Sequence, residues 1–261
     1  MIRAAVAGAG GRMGSLVLAA LRAEKDFAVA GAFERADSEH VGREAGGVRI
    51  APAIEGALER GADVLIDFTA PVASLHHAKV CASRGVALVI GTTGFSGAQK
   101  EELGASAARI PVLLAPNMSV GVNVLFRLVA EAARALGPAY EVEIVEMHHR
   151  MKRDAPSGTA LRLAEVAAQA LGYDGKDALV CERHGDTGAR KPGTIGVQAL
   201  RGGDVVGDHT VHFLADGERL ELTHRASSRD NFVRGALRAA RWLAGKRPGF
   251  YDMQDVLGFR T

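Results

Sequence analysis

The sequence predicts an α/β protein in two parts, a parallel sheet wound with helices and an inserted α+β domain with a mostly antiparallel sheet. Two observations carry this expectation. The first half alternates short apolar runs with longer amphipathic segments, the pattern of strands covered by helices. After Asn117, strands follow one another with tight turns at Gly202-Gly203 and Asp216-Gly217, as an antiparallel meander does.

Taken in order, residues 2–7 read as the first strand, 15–25 as a helix with Leu16, Leu18, Ala19 and Leu21 among its apolar positions, and 27–33 as the second strand. Residues 63–68 (DVLIDF) form a continuous apolar strand, followed by a helix at 72–83, a strand at 86–90, a helix at 98–108 and a strand at 111–114. A helix over 122–136 leads into 140–147, where Val142, Ile144 and Val145 sit among glutamates as in a half-exposed strand. A helix at 159–171, strands near 194–200, 205–214 and 219–223, and a closing helix at 231–243 that suits either domain complete the chain.

With 261 residues, 48% hydrophobic and 24% charged, and a net charge of +2, the composition is that of a globular protein with one large or two modest domains. It excludes a disulfide mini-scaffold and gives no sign of a nucleic-acid partner. Cys81 and Cys181 are expected as reduced thiols. No signal or transit segment opens the sequence and no run approaches a membrane span, so a cytoplasmic location is expected. The bases are lopsided, 25 Arg against 7 Lys.

Gly8-Ala9-Gly10-Gly11-Arg12-Met13-Gly14 falls between the first strand and the first helix. Glycines there allow a tight turn and let backbone approach a pyrophosphate, whose charge rests on the helix N-terminus. The common dinucleotide fingerprint fails at its third glycine, which falls on Met13, so the spacing is better described by Gly8, Gly11 and Gly14. Glu34 ends the second strand, where an acid holds the adenosine ribose, and Arg35 follows it, suited to a 2′-phosphate. The first part therefore reads as a Rossmann-type dinucleotide-binding domain for NADH, NADPH or both.

The densest chemistry lies in Glu146 to Thr159 (EMHHRMKRDAPSGT). A strand ends on His148 and His149, a basic loop follows, and Ser157-Gly158-Thr159 opens a helix whose free N–H groups favour an anion. In a chain that prefers arginine, a lysine at 152 suggests a need for an amine, which gives up a proton where guanidinium does not. Basic side chains beside a helix N-terminus describe a carboxylate pocket. His76, His77 and Cys81 read as packing residues, Cys181 and His184 lack a second pair for zinc, and Asp67 begins no recognisable triad, so no metal is expected. His209, His212 and His224 fall in the meander, open to solvent, an interface or the substrate.

At these residues the sequence closely resembles the bacterial dihydrodipicolinate reductase family, the 4-hydroxy-tetrahydrodipicolinate reductases of lysine and diaminopimelate synthesis. VAGAGGRMG, IDFT, GTTG, APNMSVGVN, EMHHRMKRDAPSGTA and HRASSRDNFVRGAL carry the likeness. It implies that Gly8, Ala9, Gly10, Gly11, Arg12 and Met13 bind the pyrophosphate, Glu34 the ribose and Arg35 the phosphate of NADPH. Gly91, Thr92 and Thr93, with Ala115, Pro116, Asn117 and Met118, would border the nicotinamide. His148 and Lys152 would transfer protons, and His149, Gly158 and Thr159 would bind a small dicarboxylate. It further implies a homotetramer, a dinucleotide-binding domain of residues 1–119 and 229–261, and a substrate-binding and oligomerisation domain of 120–228. A non-catalytic dinucleotide sensor and an aspartate dehydrogenase-like enzyme are the alternatives. The first needs no proton donor, and the second does not require the DAPSGT helix start.

Overall fold

Strands that are apolar on both sides must be covered on both sides, and the first sheet is. The computed structural model describes residues 1–173 and 178–260. The order is β1 (Ile2–Ala7), α1 (Arg12–Ala23), β2 (Phe27–Phe33), β3 (Glu44–Ala45), β4 (Val48–Ala51), α2 (Ile54–Ala57), β5 (Val64–Asp67), α3 (Pro71–Arg84), β6 (Ala87–Ile90), α4 (Gly97–Ala107) and β7 (Pro111–Leu114). Then come α5 (Val120–Leu136), β8 (Glu141–His148), α6 (Gly158–Leu171), β9 (Leu179–Val180), β10 (Ile195–Arg201), β11 (Gly207–Ala215), β12 (Glu218–Ala226), α7 (Asp230–Leu243), β13 (Gly249–Tyr251) and α8 (Met253–Val256). The chain divides into two compact units, Met1–Val120 with Asp230–Thr261, and Gly121–Arg229.

In the first unit the strands run β13-β7-β6-β5-β1-β2-β4-β3, all parallel except the β3–β4 edge pair. Alternate residues serve opposite cores: Ala4, Val6, Val64 and Ile66 pack with α1, α7 and α8, whereas Ala5, Ala7 and Leu65 pack with α2, α3 and α4. The closing helix, which by its pattern alone suited either domain and by the family resemblance the first, packs in the first. From β1 the chain winds outward through β2 and β4, then returns to the other side of β1 at β5. The carboxyl ends of β1 and β5 flank this reversal, where ligands of open α/β sheets bind. The first helix begins at Arg12, three residues before the expected start, because Gly11 already takes the extended N-cap conformation. The short elements β3, β4 and α2 lie where the sequence suggests no element.

The second unit has the strand order β12-β11-β8-β10-β9. Its long ladders, β11 with β12 and β11 with β8, are antiparallel, but β10 runs parallel to β8. This corrects the expected meander. Gly202-Gly203 does not close a hairpin between β10 and β11; the chain passes across β8 and pairs on its far side. A parallel neighbour needs a crossover, and α6 supplies it between β8 and β10. Val142 and Ile144 of the central strand, Ile195, Val197, Val211 and Phe213 of its neighbours, and the alanine-rich face of α6 form one core.

Candidate functional site

The inward positions of β8 are Val142, Ile144, Glu146 and His148, so the period of two places a carboxylate and an imidazole in line with two core side chains. Glu146 is fully buried, and a buried anion persists only when its oxygens are satisfied. His148 Nδ1 lies 2.6 Å from Oε2, Arg201 donates to Oε2 and Oε1 at 2.8 and 2.9 Å, and the Ser157 backbone N–H donates to Oε1 at 2.9 Å. Burial pushes the Glu146 carboxyl up, but the bonds from His148, Arg201 and Ser157 outweigh it and hold it at about 2. An ionised carboxylate only accepts, so the hydrogen of this bond sits on His148 Nδ1. Gly207 lies beside the other ring nitrogen; a Cβ there would come within 2.9 Å of Nε2.

His209 meets His148 edge-on with ring centroids 5.2 Å apart, and its Nε2 is 3.1 Å from Ser157 Oγ. Desolvation, then the neighbouring His148, push His209 down to about 3, so it is neutral. Ser157 is the N-cap of α6, its hydroxyl accepting from the Ala160 N–H at 3.2 Å. Gly158 is exposed and Thr159 half-buried at the start of that helix. Lys152 Nζ donates to both carboxylate oxygens of Asp154 at 2.8 Å, and Arg201 donates to the Asp154 carbonyl at 2.6 Å. One guanidinium thus joins the histidine network to the lysine loop. His149 is half-buried and is held through its backbone N–H, which donates to the Val205 carbonyl at 2.7 Å. The second unit therefore combines an oriented imidazole, an ammonium and a helix start able to meet an anion.

In the first unit, the turn after β1 brings Gly8 to Met13 together with Glu34. Gly8 takes φ +67°, and a Cβ on Gly14 would lie 2.0 Å from the Gly8 carbonyl oxygen, so Gly14 is the residue that lets α1 close onto the turn. Gly10 is required for another reason: a Cβ would meet the His40 ring at 2.2 Å. Glu34 Oε1 accepts from the Gly10 N–H at 3.1 Å, and Oε2 from the Arg35 N–H at 3.2 Å. Arg12 is exposed, Met13 is half-buried, and Ala9 is buried with its N–H donated to the Phe33 carbonyl. No side chain caps α1 and no acid stands in its first turn. A glycine cradle, an open helix start and an adjacent carboxylate fit a dinucleotide. Arg35 is turned to Asp37 in an exposed pair at 3.2 Å.

Gly91 is shaped by Phe68, whose ring a Cβ would meet at 2.0 Å. Thr92 is buried and accepts from Ser74 Oγ at 3.0 Å, whereas Thr93 is exposed. The Ala115 N–H donates to the Ile90 carbonyl, joining the segment after β7 to the end of β6. Pro116 is exposed, the Asn117 side chain accepts from the Ser119 N–H at 2.8 Å, and Met118 is buried in the core, leaving its backbone for any ligand contact.

Sequence reasoning missed three participants in the second unit: Glu146 as an internal anion, Arg201 as its partner and His209 as a buried neighbour of His148. It also missed the pairing of His77 with Asp67. Asp67 is fully buried, its Oδ2 lies 2.8 Å from His77 Nδ1, and its Oδ1 accepts from the Thr69 N–H and hydroxyl at 2.8 and 2.6 Å. Burial raises the Asp67 carboxyl, and His77 and Thr69 bring it below the usual range. The sequence signal for Glu146 was its period-two spacing from Val142 and Ile144. Cys81 is buried, with its thiol pushed up by desolvation, and Cys181 is exposed. Among the described residues, no cluster of metal-binding side chains forms and no helix is long and apolar enough to cross a membrane.

Residues 2–118 match the family model for the dihydrodipicolinate reductase N-terminus, and residues 121–257 match that for the C-terminus. The chain is 57% identical over 268 residues to the 4-hydroxy-tetrahydrodipicolinate reductase of Anaeromyxobacter dehalogenans strain 2CP-1, covering 100% of this chain and 99% of the relative. It is 55% identical over 269 residues to that of Myxococcus xanthus, with the same coverage. Among solved structures it resembles the dipicolinate-bound dihydrodipicolinate reductase from Paenisporosarcina sp. TG-14, with a TM-score of 0.80, 25% identity and coverage of 98% and 99% of the two chains. Aspartate dehydrogenase from Thermotoga maritima shares the fold alone, at a TM-score of 0.52 and 12% identity over 95% of this chain and 98% of that one. The chain belongs to the dihydrodipicolinate reductase family.

Proposed function

We propose that this chain reduces 4-hydroxy-tetrahydrodipicolinate to tetrahydrodipicolinate with loss of water, using NADH or NADPH, in the diaminopimelate route to lysine. The buried Glu146–His148 pair at the start of α6, in a chain of this family, is the observation that carries the reading. Substrate binding falls to the second unit, residues 121–229, and cofactor binding to the first.

Gly8 to Met13 take the pyrophosphate, Glu34 the adenosine ribose and Arg35 a 2′-phosphate. Gly91 to Thr93 and Ala115 to Met118 border the nicotinamide, which when bound supplies a hydride. His149, Gly158 and Thr159 hold the dicarboxylate, one carboxylate meeting the N–H groups that open α6. Loss of water from the substrate leaves a conjugated cyclic imine. As ring C4 is reduced, electron density moves toward the ring nitrogen and a proton must be delivered. His148 Nε2–H and the Lys152 ammonium are the donors. Lys152 is held by Asp154, and a substrate carboxylate competes with that carboxylate for the ammonium.

Assembly as a homotetramer and a cytoplasmic location belong to the same reading. The sensor alternative is disfavoured because a buried carboxylate with four donors is costly to assemble and orients a histidine that a sensor has no need of. The test is to supply fresh 4-hydroxy-tetrahydrodipicolinate and follow nicotinamide absorbance with each cofactor. Oxidation is expected with at least one; none with either would return the sensor reading.

A further inference from the structure

We infer that Glu146 is the positioning residue of the proton-transfer site, its carboxylate setting the tautomer of His148 and tying that ring to the N-cap residue of the substrate-binding helix. The inference rests on His148 acting as a proton donor and goes beyond it by naming what prepares that histidine. Glu146 accepts four hydrogen bonds, two on each oxygen, from His148, from both ends of the Arg201 fork and from Ser157. A carboxylate has room for all four donors. An amide in the same place has one acceptor oxygen and turns two N–H bonds toward donors, so it cannot replace the acid.

Among the described residues, Glu146 is the carboxylate hydrogen-bonded to His148. Arg201 reaches in from β10, His209 from β11 with His224 beyond it on β12, and Lys152 and Asp154 come from the loop after β8. Asp154 is exposed and occupied by Lys152. His209 and His224 are both pushed toward the neutral form by burial. The acceptor that fixes the hydrogen on His148 Nδ1 is therefore Glu146, while Arg201 keeps that buried anion in place. The Ser157 N–H shares Oε1, so the start of α6 and the donor ring hang on one carboxylate.

The experiment compares the wild-type enzyme with Glu146→Gln and Glu146→Asp, reading kcat and the KM for substrate at saturating cofactor. Glu146→Gln is expected to lower kcat about 100-fold or more, with the KM values for substrate and cofactor changed less than about threefold. Glu146→Asp is expected to restore part of the lost kcat, because a carboxylate still accepts from the ring where an amide does not. A folded Glu146→Gln enzyme with its kcat within about twofold of wild type overturns the inference, since a merely structural carboxylate would cost stability and leave kcat in place. Because the variants can fail to fold, ¹⁵N NMR of histidine-labelled wild-type enzyme supplies a second readout. A neutral His148 with its proton on Nδ1 supports the inference, and one with its proton on Nε2 overturns it. Wild-type enzyme inactive with both cofactors would overturn the proposed function and this inference together, whereas an active wild type beside a folded Glu146→Gln variant of unchanged kcat removes only the latter.

Discussion

Lysine is the scarce base in this chain, and the lysine at 152 holds the Asp154 carboxylate with two bonds of 2.8 Å. Its charge is replaceable for folding because Asp154 is exposed, but an alanine supplies no proton. Lys152→Ala is expected to lower kcat by about two orders of magnitude or more with the Kd for NADH nearly unchanged, measured by steady-state kinetics and fluorescence titration. Arg35 pairs with Asp37 while both side chains are more than three-quarters exposed, at 79% and 76%, and such a pair contributes little and is released readily. Arg35→Ala should therefore weaken NADPH binding about tenfold or more and leave NADH binding nearly unaltered; equal losses in the two titrations would remove the 2′-phosphate role. His148 and Lys152 were legible as chemistry because they lie four residues apart in one dense segment. Glu146 was legible only through its period-two spacing from Val142 and Ile144. Its partner Arg201 is 55 residues away, and nothing local to either residue announces the pair.

At the scale of elements, glycines show how one substitution changes sign with packing. A Cβ on Gly235, inside α7, would lie 1.7 Å from the Met118 carbonyl oxygen, whereas one on Gly104, inside α4, would meet nothing within 4 Å. Gly235→Ala is expected to destabilise by about 1–3 kcal/mol through overpacking and to raise the Kd for NADH by displacing residues 115–118. Gly104→Ala should stabilise by about 0.5–1 kcal/mol, the ordinary helix preference for alanine over glycine. Urea unfolding of both variants checks the contrast. The βα winding of the first half was readable because a sheet buried on both faces requires continuous apolar strands, and β1, β2 and β7 fall on the expected residues. The second sheet was misread at Gly202-Gly203. Turn glycines tell that the chain reverses, not which strand it pairs with afterwards, and here β8 separates the two strands that the turn joins.

For the whole molecule, stability should fall steadily as the solution is acidified, in two stages. His209 is held near 3 in the fold against an ordinary value of 6.5, so its contribution is complete above 6.5 and is lost as pH drops toward 3, because the unfolded chain takes the proton first. Glu146, held at about 2 against 4.5, joins below pH 4.5 together with Glu143, and Asp67 joins below its ordinary 3.8, both being lowered in the fold. Between pH 6.5 and 4.5 the loss credited to His209 is about 1 kcal/mol per pH unit. Denaturant melts across this window should show it, and His209→Gln should flatten the slope; an unchanged slope would mean that His209 is not buried as a neutral ring. The sequence by itself determined the main βα winding of the first half, the glycine turn after β1, the histidine–lysine segment and the family, because each is written in local spacing, in a period of two or 3.6, or in a contiguous motif. Only the tertiary structure decided that β8 is the central strand, that Arg201 and Ser157 hold Glu146, and that Glu146 and His209 meet His148. Those facts depend on strand register and on contacts between residues far apart in the chain, and the free energy that selects them belongs to the packed core rather than to any short stretch of residues.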